Sequence, residues 1–220
     1  MAHAISRAAQ PMHGFKHPMK KFVSTSAVSL AAVALIAAAA FAAEGQEAGP
    51  PLLANKIAQP SGASARLLVT SPAFTSGGQL EDKYTQNGDN MSPGLSWTKG
   101  PLGTQSYVVL TEDAGVNRHD PIVHWVIFNI PSTTTELPQN IPTDATLENG
   151  AKQGKNVRGA VGYVGPKPPA GQSHPYHFEV FALNSRLNID PATADRQAVV
   201  NAMKNHVLTS GEIVANYTGK

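Results

Sequence analysis

From Arg66 onward the chain is built of short apolar runs separated by clusters of Gly, Pro and Asn. Leu67–Thr70, Tyr107–Thr111, Val123–Ile130 and Tyr176–Leu183 are dense in β-branched and aromatic residues, a pattern that predicts strands. The second and third are apolar at both alternating positions. Strands of that kind are covered on both faces and sit centrally in a sheet. One segment instead has a helical period. Asp190-Pro191, a cap residue followed by proline, opens it, and Val199, Met203 and Val207 recur at i, i+4 and i+8 on one face. This predicts a helix from Asp190 with Gly211 beyond its end, and with His206 in or after the last turn as a cation at a helix C-terminus. Residues 138–175 show no clear period, and an ordered loop of that length in a compact domain is usually functional.

The N-terminal third reads differently. Met19 is followed by Lys20-Lys21, an apolar run from Phe22 to Phe41, and small residues at Ala40 and Ala42. That is the basic, apolar and small-residue order of a secretory signal peptide. Cleavage is expected after Ala42 or Ala43, with Met19 as the working start and the residues before it an upstream extension. Residues 1–42 are therefore read as leader, 43–65 as a flexible Ala/Gly/Pro/Gln linker, and 66–218 as the folded domain. The mature protein is expected in the periplasm or secreted, with no lasting membrane anchor.

Charge changes little in this picture once the leader is set aside. The chain has 17 bases and 15 acids, but Arg7, Lys16, Lys20 and Lys21 all lie in the leader, which holds no acid. The remainder is slightly acidic and shows no basic cluster of the kind that binds nucleic acid. The chain has no cysteine, which excludes disulfides, thiolate nucleophiles, Cys-based zinc sites and a lipoprotein anchor. No H-E-x-x-H or other zinc spacing and no G-x-S-x-G elbow occurs, so no metal or other cofactor is expected. Serine catalysis has no support, since Ser173-His174 is an isolated dipeptide.

Two places can carry chemistry. If Val123–Ile130 returns antiparallel beside Tyr107–Thr111, Asp113 and His124 fall at one end of the sheet. A second cluster, His174 and Tyr176, stands at the start of a strand after a Pro-rich loop; residues two apart share a strand face. His177, three from His174, faces the other way.

Five stretches carry a resemblance: "YTQNGDNMSPGLSW", "SYVVLTED", "VHWVIFNIP", "GYVGPKPPAGQSHPYHFEVFAL" and "HVLTSGEIVANY". In this order, across residues 66–218, they resemble the phosphatidylethanolamine-binding protein family, in its bacterial Raf-kinase-inhibitor-like branch. The resemblance implies a mainly β fold of two antiparallel sheets, a large central one and a smaller one, with a few peripheral helices including one near the C-terminus. It also implies a small anion pocket at one end of the larger sheet. The pocket positions carry over to Asp113, His124, His174 and Tyr176, with Gly165, Pro166, Pro168 and Pro169 forming a wall. One departure stands out. The family's D-P-D-x-P segment is here Asp113-Ala114-Gly115-Val116, lacking the prolines and the second aspartate, so the rim is expected to be looser or differently shaped. Arg118-His119-Asp120 adds charge nearby, and Lys167 stands where many bacterial relatives carry cysteine.

The leading expectation is thus an exported, non-enzymatic binding protein for a small anionic ligand such as phosphate or a phospholipid headgroup. A protease or other protein target that it inhibits or modulates stays open. The alternative is a hydrolase using Asp113 and His124 as an acid–base pair.

Overall fold

The computed structural model describes residues 66–220. The expected leader and linker, up to residue 65, lie outside the described residues. In chain order the strands are β1 (Val69–Thr70), β2 (Gly78–Gln79), β3 (Leu95–Trp97), β4 (Ser106–Asp113), β5 (Ile122–Pro131), β6 (Glu136–Leu137), β7 (Lys152–Gln153), β8 (Ser173–Leu183) and β9 (Val207–Thr218). Among the described residues there is one α-helix, α1 (Arg196–Met203), and one 3-10 turn, Asp82–Tyr84. The strands form a small sheet ordered β1-β3-β6 and a large one ordered β2-β9-β8-β4-β5-β7. All pairings are antiparallel except β2 with β9.

The double-sided apolar pattern of β4 has a direct cause. Every residue of β4 is buried. Tyr107 and Val109 join one core with Leu67, Val69, Leu95, Trp97 and Leu137 of the small sheet and its approach. Val108 and Leu110 join a second core with Val199 and Met203 of α1. The large sheet is therefore the middle of three layers, and β4 is central, between β8 and β5. Trp125, fully buried on the small-sheet side, donates its Nε1–H to Gln153 Oε1 at 2.8 Å.

The C-terminal expectation needs correction. Asp190 does not open the helix. Its side chain and carbonyl accept from the amides of Ala192 (2.9 Å) and Thr193 (3.0 Å) in a separate turn. Asp195, five residues on, is the true N-cap and accepts from Ala198 N at 2.8 Å. The helix then stops at Met203, because Lys204 turns to extended backbone and Asn205 takes φ +66°, a left-handed value that Asn tolerates. Val207 is the first residue of β9, and Gly211 lies inside that strand opposite Val180. A Cβ on Gly211 would meet the Leu67 carbonyl oxygen at 2.0 Å, so glycine is required where the chain before β1 crosses. His206 follows the helix and bonds Asn184 Oδ1 at 2.8 Å.

Elsewhere the boundaries move by small amounts. The first expected strand shortens to Val69–Thr70, and β8 begins at Ser173, within the stretch read as irregular.

Candidate functional site

At one end of the large sheet, Asp113 closes β4 and stands in register with Ile122 of β5 and Tyr176 of β8. A cleft of about 600 Å³ opens there, and Asp113, His124, His174 and Tyr176 all line it. The four side chains come from three strands, and each reaches the cleft for a local reason.

Asp113 alternates with Glu112. Glu112 points to the helix side, where Arg196 binds its carboxylate, so Asp113 faces the cleft. On β8 the same alternation brings His174 and Tyr176 to the cleft and sends His177 to the opposite face, where it meets Glu212 at 3.2 Å. His124 depends on an irregularity. Thr111 pairs with Trp125 and Glu112 with Val123, leaving His124 as the extra residue of a bulge. A bulge re-aims a side chain. The His124 ring thereby meets the Tyr176 ring edge-on, with centroids 5.2 Å apart, while its neighbour Trp125 keeps its place in the core on that same side.

The two imidazoles are held differently. His174 Nδ1 lies 2.8 Å from Asp113 Oδ2, and both side chains are almost wholly buried. A carboxylate only accepts, so His174 donates from Nδ1. Its Nε2 lies 3.4 Å from Gln172 Oε1. His124 has no carboxylate partner. Its Nδ1 lies 2.7 Å from the Val164 carbonyl oxygen, which makes Nδ1–H the donor and leaves Nε2 with a lone pair. Burial holds the His124 pKa below the usual histidine value, against the opposing pull of the Val164 carbonyl and the Asp113 carboxylate. Burial also pushes the Tyr176 phenol well above its usual value, and the nearby Asp113 charge adds to this. The phenol therefore keeps its proton. His124 Nε2 and Tyr176 Oη are both buried and neither makes a well-formed hydrogen bond, the Tyr176 hydroxyl lying near the Asp113 carboxylate.

The turn after Asp113 is tied down at two points. Asp113 Oδ1 accepts from Gly115 N at 2.8 Å, and Ala114 N donates to the Pro175 carbonyl at 3.3 Å. A Cβ on Gly115 would stand 2.6 Å from His174 Cγ. Where the prolines are missing, a carboxylate-anchored turn packs against the base of the His174 side chain.

Of the expected wall, Pro168 and Pro169 line the cleft, whereas Gly165 and Pro166 do not. Gly165 N donates to Asn90 Oδ1 at 2.7 Å, its carbonyl accepts from Gln86 Nε2 at 2.6 Å, and a Cβ there would meet the Tyr84 carbonyl oxygen at 2.5 Å. It is a close-packed support behind the wall. Arg118 and Asp120 line an adjoining cleft, and His119 is exposed beside Asp120. Sequence reasoning missed Gln86, Gln172 and Val157 as lining residues and noted Lys167 only as a substitution; all four line the cleft. The G-P-K-P-P loop was the available signal for Lys167, while for Gln86 the signal was its place in the quoted Y-T-Q-N-G-D-N stretch, which gave it no role.

Chemically, the cleft offers a neutral phenol donor, two imidazole Nε2 atoms that donate only when their rings are protonated, and one lysine. A lone tetrahedral oxyanion needs donors, so its binding there would be coupled to proton uptake.

A family model described as phosphatidylethanolamine-binding protein matches residues 70–218. The UPF0098 protein of Methanothermobacter thermautotrophicus is 38% identical over 145 residues, covering 66% of this chain and 94% of that protein. Among solved structures, YbcL of Escherichia coli, described as a new member of the mammalian PEBP family, is 32% identical with a TM-score of 0.66. The Chlamydia trachomatis homologue CT736 is 27% identical with a TM-score of 0.64. Each match covers 71% of this chain and the whole of the solved chain. The chain belongs to the phosphatidylethanolamine-binding protein family.

Proposed function

We propose that this member of the phosphatidylethanolamine-binding protein family is an exported binding protein whose cleft takes a small anionic group, either phosphate or the phosphate of a phospholipid headgroup. The observation that carries the reading is the pair of buried polar atoms without a well-formed hydrogen bond in cleft-lining residues, His124 Nε2 and Tyr176 Oη. A buried polar group without a partner costs about 1–3 kcal/mol, and an oxyanion would satisfy both atoms once His124 gains a proton. His174, oriented by Asp113, supplies a second imidazole edge. The export half of the proposal rests on the basic, apolar and small-residue order from Met19 to Ala42.

Binding is favoured over hydrolysis by an Asp113/His124 pair because the two are committed elsewhere. Asp113 bonds His174 and Gly115 N, and His124 Nδ1 bonds the Val164 carbonyl. His124 Nε2 keeps its lone pair, but the ring it belongs to is oriented by a backbone carbonyl and not by Asp113, so the two do not form an acid–base pair.

Titration calorimetry with phosphate and phosphorylethanolamine tests the reading on the parent and on His124→Ala, His174→Ala and Tyr176→Phe. The histidine variants are expected to lose about 1.5–3 kcal/mol each, as for hydrogen bonds to charged groups, and Tyr176→Phe less. Unchanged affinity in all three would place the site elsewhere. N-terminal sequencing of the exported chain should begin near Ala43; a mature chain retaining Phe22–Phe41 would overturn the export proposal.

A further inference from the structure

The charges around the cleft point to a choice between phosphate esters that the quartet alone does not make. Asp113 is the one acid among the lining residues. It is 3% exposed, and both oxygens are occupied by His174 Nδ1 and Gly115 N. Of the lining cations, His124 is held neutral by burial. Lys167 is the one lysine or arginine among the lining residues, and it is exposed on the Pro-rich wall. It has company at the mouth. Gln86, another lining residue, accepts a hydrogen bond from the Arg158 guanidinium. Across the ridge of Ile122 and Val157, shared by both clefts, Arg118 and Lys155 line the adjoining space of about 260 Å³. Of the two acids lining that second space, Asp195 caps α1 and Asp120 contacts His119.

A phosphate seated against His124, His174 and Tyr176 would direct the rest of its ester toward this rim. An ammonium group would find Lys167 on the near wall, the exposed carboxylates of Asp120 and Asp195 lying only in the adjoining space. Resting on the anion-pocket reading, we propose that Lys167 makes the cleft selective for phosphate esters whose remaining substituent carries no amine, so that a glycerol-type ester is taken in preference to an ethanolamine-type one.

Two unit charges ~6 Å apart at a partly exposed site interact by enough for about a three- to tenfold difference in affinity. The test uses two matched pairs of soluble probes near neutral pH. One pair is monoesters, glycerol 3-phosphate and phosphorylethanolamine. The other is deacylated lipid headgroups, glycerophosphoglycerol and glycerophosphoethanolamine. The glycerol member of the tighter-binding pair should win by about three- to tenfold, and whichever pair binds tighter identifies a free monoester or a lipid headgroup as the source. Lys167→Met should bring the two members together, Lys167→Arg should keep the preference, and added salt should shrink it as screening shortens. Because Lys167 is exposed, neither variant threatens the fold. Equal affinities in the parent, or a preference that survives Lys167→Met, would overturn the inference while leaving the pocket standing. If no probe binds the parent at all, the pocket reading falls with it.

Discussion

Replacing Asp113 by Asn keeps the size of the side chain, removes its charge and forces a proton to move on the neighbouring ring. The Asn oxygen can still accept from Gly115 N, the bond now 2.8 Å long. Its amide must then face His174 Nδ1, which in the parent donates to Asp113 Oδ2 across 2.8 Å. Two donors cannot meet, so the His174 proton should move to Nε2 and Nδ1 should become the acceptor. A charge-assisted bond of ~1.5–3 kcal/mol is exchanged for a neutral one of ~0.5–1.5 kcal/mol, a net loss near 1 kcal/mol. For a domain of this size that lowers the midpoint by about 2–4 °C. Asp113→Ala removes both acceptors and should cost more, about 2–4 kcal/mol. Thermal unfolding gives the two losses, and two-bond 15N–1H correlation spectra of the imidazole give the tautomer. If His174 keeps its proton on Nδ1 in Asp113→Asn, or if Asn and Ala cost the same, the carboxylate does not orient that ring.

Trp125→Ala empties a fully buried site and deletes the bond to Gln153; it should cost about 3–5 kcal/mol in chemical denaturation, and an unchanged midpoint would remove Trp125 from the core. Gly115→Ala places a Cβ 2.6 Å from His174 Cγ, so the turn must move away; a loss of about 1–3 kcal/mol together with weakened anion binding is expected, and parent-like behaviour in both would show the contact to be unimportant. Arg196→Ala strands Glu112, which is 0% exposed, and should cost about 3–5 kcal/mol in a urea titration at neutral pH; a loss below ~1 kcal/mol would mean the pair behaves as a surface salt bridge.

The strands around Tyr107–Thr111 and Val123–Ile130 were legible in the sequence because a strand covered on both faces has no polar alternation to hide it. Asp113 and the His174/Tyr176 pair were legible because strict alternation puts them on one side. β9 was not. Val207 completes an i, i+4, i+8 series from Val199, and local periodicity cannot reveal that Asn205 breaks the chain direction between them. The bulge at His124 was invisible as well, since it exists only as a register mismatch between two neighbouring strands. The role of Gly115 belongs to the same class. A missing proline reads locally as lost rigidity, whereas the turn is held by Asp113 and by close approach to the ring of His174, remote in sequence. The wall was half legible. Pro168 and Pro169 reach the cleft, but the packing of Gly165 against Tyr84 and Asn90 could not be read from the loop itself.

The central claim is that an oxyanion enters this cleft by bringing a proton to His124. Sulfate is the cleanest probe, because it does not titrate in the range of interest. In the free protein burial holds the His124 pKa below the usual histidine value, so the ring is neutral near pH 7; a bound dianion favours the imidazolium and raises that pKa. Between the two values binding takes up a proton, so affinity should rise as pH falls and level off below the free-state pKa. Calorimetry at ~pH 7 in two buffers of different protonation enthalpy should therefore report uptake of up to about one proton, with affinity changing by up to about tenfold per pH unit. In His124→Gln the uptake should largely vanish. Sulfate binding that is independent of pH, or uptake that persists unchanged in His124→Gln, would contradict the account.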